Sequence, residues 1–126
     1  MSEESKTGSA SVGRSNDPSE LCIQFLYFAT CPHAPQALTL LREVLRAEGL
    51  APKVEMINIK NEAMAQQYTF YGSPTIRVNG EDVSPPDATS APFFGCRLYP
   101  QPDGGFAAHP SADAITHALR QPHQRA

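Results

Sequence analysis

The run Leu21, Cys22, Ile23, Gln24, Phe25, Leu26, Tyr27, Phe28 is almost continuously apolar and aromatic, and three residues later the chain meets Cys31 and Pro32 and turns to a helical pattern. A strand of that composition has two faces to bury, so it belongs at the centre of a sheet covered on both sides. Residues 33–48 then place Ala37, Leu40, Leu41, Val44 and Leu45 at helical spacing, with Arg42, Glu43, Arg46 and Glu48 opposite and Gly49 as the stop. Pro35 falls in the first turn of this helix, where a missing N–H costs little. Residues 53–59 carry Val54, Met56, Ile57 and Ile59 and read as a second strand, parallel to the first because a helix connects them. A βαβ unit is complete by residue 60.

Asn61 can cap a second helix running to about Tyr71, with Gly72 ending it. Residues 75–78 form strand three, and Asn79-Gly80 is a two-residue hairpin signal. Residues 81–95 hold Pro85, Pro86 and Pro92 and read as loop, with Val83 able to begin a returning strand. Residues 95–99 read as strand four, residues 100–105 as a turn, and Ser111 as the cap of a last helix carrying Ala114, Ile115, Ala118 and Leu119. The expected order is βαβαββα, an α/β domain over residues 20–121. Residues 1–19, rich in Ser, Gly and charge with only Val12 as a sizeable apolar side chain, are expected to be a disordered tail, and residues 122–126 a short C-terminal one.

At 126 residues one core and one site are expected. A net charge of −3, with no basic block or basic-aromatic stripe, argues against nucleic acid as a partner. No apolar run approaches the roughly 18 residues a membrane span needs, and the first twenty residues lack the apolar stretch of a signal peptide. The expectation is a soluble, cytoplasmic protein. Three cysteines in a reducing compartment point to catalytic, redox or metal roles rather than to a disulfide framework.

Cys31 stands where a strand hands over to a helix. Backbone N–H groups and the positive end of the helix dipole favour a thiolate there, and Pro32 suits the first helical position. The competing account is an inert, packed cysteine. His33 can stabilise that thiolate, transfer a proton or join a metal site, or simply be a solvated residue on the first turn. Thr30 reads as the helix N-cap, or as a donor to the Cys31 sulfur. Cys22 lies nine positions from Cys31, roughly 30 Å along an extended strand, and reads as packing. His109, His117 and His123 show no tight metal-ligand spacing, and no metal site is expected.

This element order, a cysteine after strand one, and Ser73-Pro74-Thr75 opening strand three together resemble the thioredoxin-like fold, with a central four-stranded mixed sheet flanked by helices. The resemblance implies a cis proline at Pro74 whose loop faces the reactive cysteine, with Thr30, Pro32, Ser73, Pro74 and Thr75 forming the substrate-binding wall. More narrowly, Cys31-Pro32, the stretch from Gly72 to Gly80 (GSPTIRVNG) and Cys96-Arg97-Leu98-Tyr99 resemble a small bacterial thioredoxin-like group. Its members are sometimes named as selenoproteins and sometimes as alkylmercury lyase-like. Thioredoxins carry Cys-x-x-Cys, whereas Ala34 stands three residues after Cys31 here, so a dithiol cycle within the motif is excluded.

Cys31 is therefore expected to act as a monothiol on a disulfide, a peroxide or a glutathione adduct, small or protein-borne. A second thiol then resolves it, either Cys96 or glutathione as a co-substrate; no resident cofactor is expected. Gly104-Gly105 ahead of the last helix resembles a glutathione-binding turn. Cys96 has a geometric difficulty: if strands three and four pair antiparallel, strand four begins away from Cys31 unless the 81–95 loop brings it back, and a disulfide needs Cα atoms about 4.4–6.8 Å apart. Two other classes fit the same residues: a soft-metal or organomercurial binder using thiolates at Cys31 and Cys96 with His33 assisting, and an inactive module that binds a protein through the Pro74 loop and the 81–95 segment.

Overall fold

The computed structural model describes residues 21–86 and 89–121; both expected tails, and His123 with them, lie outside the described residues. Strand β1 (Ile23–Tyr27) sits inside a four-stranded sheet. It pairs parallel with β2 (Val54–Asn58) and antiparallel with β3 (Thr75–Val78), which in turn pairs with β4 (Glu81–Asp82). Ile23 and Phe25 enter a core shared with Ala37, Leu41 and Leu45 of α1 (Ala34–Ala47) and Ile115 and Leu119 of α3 (Ala112–Arg120). Leu26 points into a second core with Ile57, Ile59, Ala65 and Phe70, beside α2 (Glu62–Gln67). The two-faced burial expected of the first apolar run is thus realised by helices on opposite sides of one strand.

Local signals account for most of the ends. Gly49 takes φ +72°, and Leu50 N donates to Leu45 O while Gly49 N donates to Arg46 O, a paired closure that satisfies the last carbonyls of α1. Asn61 and Ser111 each cap their helix by accepting from the backbone N–H three residues on, Met64 at 2.9 Å and Ala114 at 3.0 Å. A bidentate pair from Arg120 to Glu48, at 2.8 and 2.9 Å, ties α3 to the end of α1.

Four expectations are corrected. The second helix ends at Gln67, well before Tyr71, because Thr69 adopts φ +52° and Phe70 N turns back to Ala65 O. The fourth strand of the sheet is Glu81–Asp82, directly after the hairpin, whereas the 95–99 stretch lies outside that sheet. Only Tyr99 of that stretch is in a strand, in the separate ribbon of β5 (Tyr99–Pro100) and β6 (Phe106–Ala107). Cys22 is exposed rather than packed, its backbone N–H donating to Asn79 Oδ1 at 2.8 Å.

Asn79 and Gly80 both have positive φ, +52° and +87°, as a tight hairpin between right-twisted strands requires. Asn79 tolerates this conformation and also braces the start of β1 through Cys22, so Asn79→Ala should lose both effects. The expected cost is about 1–2 kcal/mol, read from urea unfolding as a lower midpoint at unchanged slope.

Candidate functional site around Cys31

Cys31 follows β1 by a four-residue step, and its backbone N–H donates to Phe28 O at 3.0 Å. Its carbonyl accepts from Ala34 N at 3.4 Å, closing a turn before the helix begins. Cys31 is 4% exposed and belongs to the core cluster that holds Ala34, Ala37 and Ile76. The helix N-cap is His33, not Thr30, and no side chain caps α1. Thr30 is exposed, and Pro32 lies in the turn rather than at the first helical position. Of the first-turn amides that a helix start leaves open, Ala34 N is bonded to Cys31 O and Pro35 has no N–H, while the regular helix bonds begin with Ala37 N to His33 O. His33 is half-buried at the helix entry.

Phe28 links this turn to the opposite loop, since its N–H donates to Ser73 Oγ at 3.4 Å. The Ser73–Pro74 peptide bond is cis. Ser73, Pro74 and Thr75 are all buried. Their polar groups are taken up inside the protein: Thr75 Oγ1 donates to Gly72 O at 2.6 Å, and the Tyr99 hydroxyl donates to Pro74 O. Ser73 pairs with Cys96 in an isolated parallel bridge, Ser73 N donating to Gly95 O at 2.7 Å and Arg97 N donating to Ser73 O at 3.1 Å.

The position of Cys96 is thereby corrected. It does not start a strand remote from the site; the connection after β4 brings it back beside Ser73, where it is exposed and lines a cleft of about 700 Å³ with Tyr71, Ser84, Phe93 and Leu98. Cys22 lies at the far end of β1, beside a different cavity with Gly49 and Pro52. In the glycine turn before α3, Gly104 N donates to Gln101 O and Gly105 N to Asp103 Oδ1, so both amides serve the turn itself. Among the described residues no three His, Cys, Asp or Glu side chains gather as a metal site would require, and no helix is long and apolar enough to cross a membrane.

Residues that sequence patterning passed over hold the 93–99 segment in place. Arg97 donates from Nη1 to Asp82 Oδ2 at 2.7 Å and from Nη2 to Ser84 O, and its guanidinium lies 4.3 Å from the Tyr99 ring centroid. Phe93 N donates to Phe70 O at 2.9 Å, and the Phe94 ring packs on Phe28 at 5.1 Å between centroids. Gly72, at φ +112°, lies against the segment so closely that a Cβ there would be 2.8 Å from Arg97 Cβ. The signal available in the sequence was the stretch Cys96-Arg97-Leu98-Tyr99, a cation and an aromatic two residues apart.

The fold and the cysteine after its central strand define a thioredoxin-like protein. Over 64 residues, half of this chain and 75% of the relative, it is 34% identical to a thioredoxin of Methanocaldococcus jannaschii. The chain belongs to the thioredoxin family. No family model matches it.

Burial pushes the Tyr99 hydroxyl well above the ordinary tyrosine range, and the nearby Asp82 carboxylate adds to this against the opposing pull of Arg97. The neutral hydroxyl is the form that donates to Pro74 O, so its contribution is whole below the ordinary pKa of about 10 and is lost as pH rises beyond it. Tyr99→Phe should cost about 1–2 kcal/mol at pH 7 by leaving Pro74 O without its donor. Urea unfolding at a series of pH values should show the gap between wild type and variant closing above about pH 10.

Proposed function

We propose that the protein is a thiol oxidoreductase in which Cys31 works as a monothiol. The observation that carries the reading is the convergence of three features at one end of β1: the Cys31 turn, the cis Ser73–Pro74 loop tied to it through Phe28, and a second thiol, Cys96, bridged to Ser73. The likeness to a thioredoxin supports redox chemistry at a thiol, and Ala34 at the position of the usual second cysteine moves the resolving step elsewhere. Ala34 is itself buried, so that position serves packing.

In the first step the Cys31 thiolate attacks one sulfur of a substrate disulfide or glutathione adduct. A new S–S bond to Cys31 forms, the substrate S–S bond breaks, and the departing thiolate takes a proton from water. In the second step the Cys96 thiolate attacks Cys31 Sγ, giving an intramolecular disulfide and releasing the remaining substrate half as a thiol. An external thiol such as glutathione performs the same displacement where Cys96 does not. With peroxide as substrate, the first product is a Cys31 sulfenic acid and water, and the second thiol condenses with it to a disulfide and a second water. The narrower likeness to the bacterial group named as selenoproteins or alkylmercury lyase-like belongs to the same reading, since Cys31 would be the reacting atom in either case.

Mass mapping of every cysteine after a limiting pulse of glutathione disulfide tests this. Modification should begin at Cys31 and pass to a disulfide between Cys31 and Cys96. Cys96→Ser should trap the glutathione adduct on Cys31, and with excess glutathione added to reduce the Cys31–Cys96 bridge, its own thiols leaving as glutathione disulfide, Cys31→Ser should lower turnover of a small disulfide at least a hundredfold. Modification confined to Cys22 and Cys96, with Cys31 untouched, would sink the proposal.

A further inference from the structure

We infer that the 93–99 segment is a built-in occupant of the peptide-pairing edge beside Cys31, so that the site takes small disulfides and small thiol adducts and turns away extended polypeptide disulfides. This deepens the monothiol reading above and rests on it. An extended chain docks on a fold of this kind by adding a strand, which requires a backbone N–H and C=O left free at a sheet edge. At the start of β3, next to the loop that Phe28 ties to the Cys31 turn, those groups belong to Ser73. Both are already used, N–H by Gly95 O and C=O by Arg97 N–H, at 2.7 and 3.1 Å.

The occupant is anchored at several points besides its two bonds to Ser73. Arg97 reaches Asp82 and Ser84, Tyr99 reaches Pro74, Phe93 reaches Phe70, and Phe94 packs on Phe28. Gly72 provides an independent sign that the backbone is shaped to receive this segment: its missing Cβ leaves the space that Arg97 and Phe93 fill. A tethered segment competes at an effective concentration on the order of millimolar, so a peptide substrate at micromolar concentration is disfavoured on the order of a thousandfold at this edge. A thiol that is 4% exposed fits the same conclusion, because a small electrophile needs only a narrow approach to Sγ.

The test compares two disulfides that share a leaving group. One is bis(2-hydroxyethyl) disulfide; the other is an unstructured twelve-residue peptide whose single cysteine carries a 2-hydroxyethylthio group. Attack by Cys31 on the peptide's own sulfur leaves the peptide on Cys31 and releases 2-mercaptoethanol, whereas attack on the outer sulfur leaves the hydroxyethylthio group and releases the peptide thiol. The initial rate is therefore read by mass before any bridge to Cys96 forms, counting the hydroxyethylthio adduct for the small disulfide and only the peptide adduct for the peptide. Each rate is divided by the rate of the same probe with free glutathione. The normalised rate for the small disulfide should exceed that for the peptide at least tenfold. Arg97→Ala should raise the peptide rate at least tenfold while changing the small-disulfide rate less than twofold. Tyr99→Phe, which deletes one hydroxyl, should move the peptide rate in the same direction by a smaller factor and carries the comparison should Arg97→Ala lose its fold. Equal normalised rates in the wild type, or a peptide rate unmoved by both substitutions, would overturn the inference. Inertness of Cys31 toward both probes would instead overturn its assignment as the nucleophile, a different failure from equal reactivity.

Discussion

Arg97 is a permanent cation whose side chain keeps only 9% of its surface, and a guanidinium in that position must find an anion and acceptors for its donors. It finds the Asp82 carboxylate, the Ser84 carbonyl, and the face of Tyr99. Asp82 is in β4, the short strand that the Asn79-Gly80 hairpin lays against β3, so the ion pair presupposes the hairpin. Tyr99 in turn donates to Pro74 O, so the same cluster fastens the cis loop. Removing either charge would strand the other at low exposure, a loss that for a buried pair is typically about 3–5 kcal/mol. The Pro74 loop therefore depends on residues about twenty positions later in the chain.

The residue brought in between those anchors is Cys96, and the route explains why a second thiol can sit near the loop without being in the sheet. After β4 the chain leaves the sheet, and its three prolines in positions 85–92 prevent it from continuing as a ladder. It returns past Ser73, and among the described residues its one ladder partner there is Ser73, paired with Cys96. One bridged residue is weak pairing by itself. It persists because both flanks are tied down, by the Phe93 N–H and the Phe94 ring before it and by the Arg97 and Tyr99 side chains after it.

What could be read from the sequence was whatever short-range chemistry decides. The two-faced strand 23–27, the amphipathic helix closing at Gly49, the caps Asn61 and Ser111 and the hairpin Asn79-Gly80 each follow from residues within a turn or two of one another. The errors lie where a distant contact overrode local preference. Residues 95–99 alternate well enough to be a strand, yet Glu81–Asp82 takes the neighbouring place beside β3 because the hairpin delivers it there at almost no loop cost. Thr30 has the chemistry of an N-cap, but the turn from Cys31 to Ala34 inserts one more bend before the helix and His33 ends up at the cap. Cys31 and Pro74 were visible as candidates; the covering of the Pro74 loop by the later segment was not, because nothing local to either stretch encodes it.

The burial of Cys31 and the occupation of the Ser73 edge are two consequences of one arrangement. Without a second cysteine at position 34, the helix entry does not have to keep two sulfurs accessible, and Ala34 packs into the same core cluster as Cys31. In the first turn of α1, Ala34 N is bonded to Cys31 O and Pro35 has no N–H, and Cys31 itself is 4% exposed. Phe28 joins the two sides, its N–H donating to Ser73 Oγ and its ring packed on Phe94 of the anchored 93–99 segment. The segment that occupies the Ser73 edge also carries Cys96, so any displacement wide enough to admit an extended peptide at that edge would carry Cys96 away with it. If Cys31 reacts as proposed, restricting the site to small reactants and retaining an internal partner for Cys31 are the same structural choice.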